Sequence, residues 1–282
     1  MSHPLLELGG RGPVLHWSPA NGFPLETYRP ILDRLASRYR SVAIPPRALW
    51  PDAGDPPAEL GSWADNGTDI VAGLAEHGIQ EAILVGHSFG AVASLVAAVR
   101  HRRAVRALVM LDPTIFPPAI MDRIRLAKAA GWNPPHPLAG RTRERRRAFA
   151  THEEAFEFWR GKPLFADWSD DALGRYVESI LRPADGGFEL RWTPEWEAYD
   201  YECFYPDAWT EAAALDPELE TLLVYGEDSD TFGAESAAHF RRVAPSATLV
   251  AVPRAGHLFP QARPAETATI VSRWLAEFDP DD

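Results

Sequence analysis

The sequence predicts an α/β fold, a mostly parallel sheet with helices on both faces, interrupted by one long and mainly helical insertion. Three observations predict it. The stretch Ala82-Ile83-Leu84-Val85-Gly86-His87-Ser88-Phe89-Gly90-Ala91 carries a buried-strand pattern through Gly-His-Ser-Phe-Gly into a run of helix formers. Strand and helix patterns alternate on both sides of it, as crossover-connected parallel strands require. Between residues 115 and 209 that alternation stops, and helical patches rich in Pro and Trp replace it.

Composition narrows the function classes. The 282 residues, 46% hydrophobic and 24% charged, suffice for one large core plus an insertion. A net charge of −12 argues against a nucleic-acid partner, because an acidic surface repels phosphates. The one basic run, Arg141-Thr142-Arg143-Glu144-Arg145-Arg146-Arg147, reads as the solvated face of a helix or, alternatively, as a docking patch for an acidic partner. No apolar run has membrane-spanning length, and Met1-Ser2-His3-Pro4-Leu5-Leu6-Glu7 lacks the basic and hydrophobic regions of a leader. Cys203 stands alone, so no internal disulfide forms. The expectation is a cytoplasmic protein with a small-molecule partner and no membrane partner; the sequence does not indicate an oligomeric state.

Taken in order, residues 5–8 and 14–17 are short apolar runs, and Gly9-Gly10-Arg11-Gly12-Pro13 between them reads as a hairpin turn. After Ser18-Pro19-Ala20-Asn21-Gly22-Phe23-Pro24, a helix is expected over residues 25–38, with Tyr28, Ile31, Leu32 and Leu35 on one face. A strand follows at residues 41–44. The proline-rich loop after it places Trp50 either in local packing or at a pocket rim. Ser62-Trp63-Ala64-Asp65 caps a helix running to residue 77. Beyond the Ser88 turn and its helix, residues 107–111 form another buried strand, closed by Asp112-Pro113-Thr114. Of the insertion's aromatics, most serve as its own core. The sheet resumes at residues 221–225, followed by Gly226-Glu227-Asp228-Ser229-Asp230, a helix at 234–243 and the last strand at 248–252. Arg254-Ala255-Gly256-His257-Leu258-Phe259-Pro260 forms the next loop. Pro264 opens a closing helix that turns Ile270, Val271, Trp274, Leu275 and Phe278 inward.

Gly-x-Ser-x-Gly between a strand and a helix is a nucleophile elbow. The turn is tight enough that the central residue is strained, and a Cβ at either flanking glycine would strike its neighbours. Serine at its ordinary pKa is a weak nucleophile and requires a base, which must be an imidazole at the sheet's carboxyl edge. His257, after the last strand, has that placement. His87 adjoins Ser88 but points away at so tight a turn, while His16, His152 and His239 read as structural or exposed. No metal cluster or phosphate loop is present, so neither metal nor cofactor is expected.

On these motifs the chain resembles the α/β-hydrolase superfamily, as a cap-bearing serine hydrolase, over nearly its whole length. The resemblance implies an α/β-hydrolase core at 1–114 and 210–282 with a cap or lid at 115–209. It implies Ser88 as nucleophile and His257 as base, because Gly-His-x-x-Pro matches the superfamily's histidine loop. Asn21-Gly22-Phe23-Pro24 matches its His-Gly-x-Pro loop with Asn for His, so Phe23 and Phe89 would give backbone N–H groups to an oxyanion hole. The chain departs from the superfamily's Asp-x-Arg-Gly-x-Gly, showing Pro45-Pro46-Arg47-Ala48-Leu49-Trp50 instead. The acid is left open. Its usual position holds Ser229, between Asp228 and Asp230; other members place it after the preceding sheet strand, where Asp112 stands. The implied activity is cleavage of an ester, thioester or lactone of an apolar small molecule through an acyl-enzyme. Hydrolytic carbon–carbon cleavage beside a carbonyl, or ligand reception without turnover, uses the same residues. A serine elbow excludes the routes of the fold that need a carboxylate nucleophile.

Overall fold

A computed structural model describes residues 2–278 of the chain. In chain order the first half holds β1 (Leu6–Gly10), β2 (Val14–Ser18), α1 (Arg29–Leu35), β3 (Arg40–Ala43), α2 (Trp63–Glu76), β4 (Ala82–His87), α3 (Phe89–Arg100) and β5 (Val105–Leu111). The segment that follows holds α4 (Pro118–Ala129), α5 (Pro137–Arg143), β6 (Ala148–Phe149), α6 (His152–Arg160), α7 (Asp170–Ile180), β7 (Leu181–Ala184), β8 (Gly187–Leu190), α8 (Pro194–Glu202) and α9 (Ala208–Ala213). The chain closes with β9 (Thr221–Gly226), α10 (Ala234–Val243), β10 (Thr248–Val252), α11 (Phe259–Ala262) and α12 (Pro264–Phe278). The main sheet has seven strands in the order β1-β3-β2-β4-β5-β9-β10. Every neighbouring pair is parallel except β1 with β3.

Alternation along the central strands explains the two-sided packing. In β4, Ile83 and Val85 face one core with α1 and α12, while Leu84 faces the other with α2, α3 and α10. All three are fully buried, which stabilises the fold by about 1.5–3 kcal/mol for each such side chain. Both faces being covered is why β4 reads as a continuous apolar run rather than an alternating one. Ser62 and Asp65 form the expected capping box on α2: Asp65 accepts from the Ser62 N–H at 2.8 Å, and the Ser62 hydroxyl accepts from the Ala64 N–H at 3.2 Å.

The expected opening hairpin does not form. β1 pairs antiparallel with β3, with Leu6 opposite Ala43 and Gly10 opposite Arg40. Both edges of β2 are taken by parallel partners, β3 and β4, so β1 has no edge of β2 to occupy. The glycines instead let the connection pass close over the start of β3. Gly10 has φ +86°, and a Cβ there would lie 2.0 Å from the Tyr39 carbonyl oxygen. The helix expected over 25–38 is also shorter. A 3-10 turn at Leu25–Tyr28 precedes α1, because Pro30 offers no N–H to continue the ladder from residue 26. Tyr28, Ile31, Leu32 and Leu35 are buried as expected.

The segment between β5 and β9 is mainly helical, yet it also contains a small antiparallel sheet in the order β6-β8-β7. β7 and β8 meet at the Asp185-Gly186 turn, where Ala184 pairs with Gly187 and Gly186 takes φ +79°. The basic run is not a free cationic patch. Arg143 pairs with Glu202 at 2.7 Å and Arg147 with Glu195 at 2.7 Å, while Arg145 pairs with Glu197 and Arg146 with Glu154. In α12, Val271, Trp274 and Leu275 are buried and Ile270 packs partly against the same core; the Phe278 side chain lies outside the described residues. Among the described residues, no helix is long and apolar enough to cross a membrane.

Candidate active site

Ser88 occupies the turn between β4 and α3 with φ 60° and ψ −124°, a conformation costly for a residue with a side chain. Close packing imposes it. A Cβ at Gly86 would lie 2.3 Å from the Gly90 oxygen, and one at Gly90 would lie 2.5 Å from the oxygens of Ser18 and Pro19. The Ser88 N–H donates to the Leu111 carbonyl at 3.1 Å, tying the turn to the end of β5. Its side chain therefore stands at the carboxyl edge of the sheet, where α3 begins.

Three elements bring the remaining groups to it. His257, in the loop after β10, places Nε2 2.9 Å from Ser88 Oγ. Its Nδ1 lies 2.7 Å from Asp112 Oδ2. Asp112 follows β5 with φ 43° and is fully buried; its N–H donates to Val224 O at 2.7 Å, and its Oδ1 accepts from the Gly226 N–H at 2.8 Å. The structure thus brings Ser88, His257 and Asp112 into one hydrogen-bonded series. It places Asp228 and Asp230 elsewhere, along a cleft of about 580 Å³ that His257 shares with Leu164, Asp167 and Trp168.

The other histidines sit as the sequence suggests. His87 accepts the Tyr28 hydroxyl proton at Nδ1 (2.7 Å) and donates from Nε2 to the His257 carbonyl (3.0 Å). Burial, reinforced by His257, pushes its pKa down to about 3, so it is a neutral strut beneath the His257 loop. His16 is held the same way: burial pushes it down to about 3, and its Nε2 accepts from the Ile44 N–H at 3.0 Å. His152 packs at a tilt against the Phe188 ring, and His239 packs edge-on against Trp209. Trp50 donates to the Pro45 carbonyl at 2.8 Å and packs edge-on against His3.

Phe89 opens α3, where the first N–H has no acceptor within the helix. Phe23 differs: its N–H donates to the Ala20 carbonyl at 3.1 Å, closing a turn in which Gly22 has φ +79°. The Phe23 ring lies 5.9 Å from that of Trp168 and 5.5 Å from that of Tyr176, and Asn21 Nδ2 donates to Glu197 O at 2.9 Å. Behind these rings Arg145 pairs with Glu197 and donates to the Tyr176 hydroxyl at 3.2 Å; burial, opposed by Arg145, raises the Glu197 pKa.

Two neighbours escaped sequence reasoning. Thr114 Oγ1 lies 3.1 Å from Ser88 Oγ, and Thr231 Oγ1 lies 2.8 Å from His257 Nδ1. Neither belongs to a motif; only their distance from Asp112 and Ser229 in sequence hinted at them. Among the described residues, no group of three or more His, Cys, Asp or Glu side chains is placed to hold a metal ion.

Comparison with known proteins gives a consistent picture. A family model described as the alpha/beta hydrolase family matches residues 9–270. The chain is 27% identical over 267 residues to 2-(acetamidomethylene)succinate hydrolase of Mesorhizobium japonicum, covering 94% of this chain and 89% of that protein. A crystal structure of E-2-(acetamidomethylene)succinate hydrolase superposes with a TM-score of 0.76 at 22% identity, covering 96% of this chain and 94% of the other. N-formylmaleamic acid deformylase from Pseudomonas putida superposes with a TM-score of 0.67 at 20% identity, covering 95% and 94%.

Proposed function

The chain belongs to the alpha/beta hydrolase family and is an enzyme of the hydrolase type, and we propose that it cleaves a small-molecule carboxylic acid derivative through an acyl-enzyme on Ser88. The observation that carries this reading is the series Ser88 Oγ–His257 Nε2 at 2.9 Å and His257 Nδ1–Asp112 Oδ2 at 2.7 Å, built on a strained elbow. As Ser88 Oγ attacks the carbonyl carbon, its proton passes to His257 Nε2, and Asp112 stabilises the resulting imidazolium. The carbonyl oxygen becomes an oxyanion, for which we assign the N–H groups of Phe89 and Phe23 as donors. His257 then protonates the leaving group as the tetrahedral intermediate collapses. Water, deprotonated by the same imidazole, releases the acid and restores Ser88.

We read residues 115–209 as the cap of a core formed by 1–114 and 210–282. Leu164 and Trp168 lining the cleft beside His257 support it, as do Trp168 and Tyr176 on the Phe23 ring. Such a cap favours esters, thioesters or lactones with apolar parts. The lone Cys203 is in keeping with a reducing cytoplasm.

A specific observation favours a second reading, in which the substrate also bears a carboxylate. Arg145 brings a guanidinium into this mainly aromatic region with only 20% of its side chain exposed, and Glu197 and Tyr176 engage only part of its five-donor fork. The similarity to a hydrolase of 2-(acetamidomethylene)succinate, whose name denotes an amide on a dicarboxylate, points the same way and extends the scissile bond to amides.

A fluorophosphonate probe tests the core reading. The wild-type protein should be labelled and should turn over p-nitrophenyl acetate, and Ser88→Ala should lose both. Undiminished labelling of the alanine variant would remove Ser88 from the chemistry, and labelling without turnover of any ester or amide would favour a ligand receptor.

A further inference from the structure

The loop after β9 does not supply the carboxylate that the resemblance would put there, yet it reaches the same place with two hydroxyls. Ser229, at the usual acid position, donates to Asp112 Oδ2 at 2.5 Å and accepts from the N–H groups of Thr231 (3.2 Å) and Phe232 (3.3 Å). Thr231 Oγ1 lies 2.8 Å from Asp112 Oδ2 and 2.8 Å from His257 Nδ1.

Counting protons assigns the bonds to Asp112 and His257, and leaves Ser229 Oγ and Thr231 Oγ1, 3.1 Å apart, in contact with no proton between them. Nε2 must be free to accept from Ser88, so the imidazole proton sits on Nδ1. Thr231 has one hydroxyl proton, and the carboxylate is the stronger acceptor. Thr231 therefore donates to Asp112 and turns a lone pair toward the Nδ1–H, which is shared between the carboxylate and the hydroxyl. A single acceptor would let the imidazole swing about its Cβ–Cγ bond; two acceptors on different elements fix the ring plane. Ser229, itself locked by two backbone N–H groups, holds Asp112 Oδ2 from the far side.

We propose that Thr231, backed by Ser229, is a positioning residue of the catalytic series: it joins Asp112 to His257 and keeps the Nε2 lone pair aimed at Ser88 Oγ. This rests on the Ser88–His257–Asp112 reading above. No bond is made or broken at Thr231, which acts only through its neighbours.

The test compares Thr231→Val, which keeps the shape and removes the hydroxyl, with Thr231→Ser, which keeps the hydroxyl and removes the methyl. The readouts are the second-order rate of fluorophosphonate labelling, and kcat and KM for p-nitrophenyl acetate, beside melting temperature. Thr231→Val should lose about tenfold or more in labelling rate and kcat, the equivalent of one hydrogen bond to a charged group. KM should not change, and Thr231→Ser should recover most of the rate. Should Thr231→Val not fold, Ser229→Ala supplies the same comparison from the other side of Asp112, with a smaller loss expected. Wild-type rates in folded Thr231→Val, or equal loss in the valine and serine variants, would overturn the proposal. Ser88→Ala and Asp112→Asn run alongside separate the two failures. If those variants are inactive while Thr231→Val matches wild type, only the positioning role falls; if they keep wild-type rates, the catalytic reading falls.

Discussion

Replacing Asp112 by Asn exchanges one oxygen for an NH₂ group and removes the negative charge without changing the shape, and the surroundings dictate which oxygen is exchanged. Oδ1 accepts from the Gly226 N–H at 2.8 Å, a backbone donor that cannot turn away, so the amide oxygen must stay there. The NH₂ group then replaces Oδ2 and faces three groups that all donate in the wild type: Ser229, Thr231 and His257 Nδ1. The two hydroxyls can rotate and accept. Nδ1 can accept only by giving up its proton, which moves to Nε2 and confronts Ser88 Oγ at 2.9 Å. His257 is then a donor where a base is required. In the serine protease triad this tautomer inversion costs on the order of 10⁴ in turnover, equivalent to about 5.5 kcal/mol of barrier. Because each hydroxyl finds a new orientation, the loss of folding stability should be only about 1–3 kcal/mol. Labelling rate by a fluorophosphonate, read beside thermal unfolding, separates the two effects. Asp228→Asn and Asp230→Asn, on the cleft wall, should each cost less than about tenfold. A folded Asp112→Asn that keeps a tenth of the wild-type rate, or a folded Asp230→Asn that is the crippled variant, would refute the reasoning.

Two further outcomes are expected. His16 and His87 have folded pKa values pushed by burial from 6.5 to about 3, so below pH 6.5 the unfolded chain takes up protons that the folded chain refuses. Stability present above pH 6.5 should fall as pH drops from 6.5 toward 3, by at most about 1.4 kcal/mol per pH unit for each histidine. Urea unfolding at pH 7 and pH 5 measures it, His87→Gln should flatten the slope, and an unchanged slope would contradict the assignment. For the carboxylate-bearing substrate, Arg145→Met combined with Glu197→Gln, which avoids stranding a buried carboxylate, should lower kcat/KM about tenfold for p-nitrophenyl succinate while sparing p-nitrophenyl butyrate. Equal losses on both esters would dismiss that role.

What could be read in advance follows from how local each determinant is. In Gly86-His87-Ser88-Phe89-Gly90 the demand at Gly86 is local, set by Gly90 and Ala91 within the turn, whereas the demand at Gly90 comes from Ser18 and Pro19 at the end of β2. The motif is legible because its strand and helix flanks are local. The buried strands announce themselves through continuous apolar runs, and Ser62 with Asp65 through a capping box. The partner of β1 was not local: a glycine-rich link serves a hairpin or a crossover equally, and only the competition for the edges of β2 decides between them. The small sheet of the insertion did carry a signal, Asp185-Gly186 between two short strands. That signal is weak because β7 and β8 are four residues each, too short for alternation to stand out. The acid lay beyond any motif, because Asp112, Asp228 and Asp230 differ only in where β5 and β9 deliver them. Thr231 was invisible for the same reason.

The turn that closes on Phe23 sets a population constraint on the rate. Its N–H donates to the Ala20 carbonyl at 3.1 Å, so the donor proposed for the oxyanion is occupied before substrate arrives. Freeing it costs the net worth of one backbone hydrogen bond, about 0.5–1.5 kcal/mol, which leaves the competent form about 2- to 12-fold rarer than the closed turn. A substrate that fills the space beside Phe23, Trp168 and Tyr176 can offset that cost with its own binding energy, whereas a minimal ester cannot. Discrimination between full-sized and truncated substrates would then emerge in kcat as much as in KM, with the loop acting as a sieve that responds to size before any bond is broken.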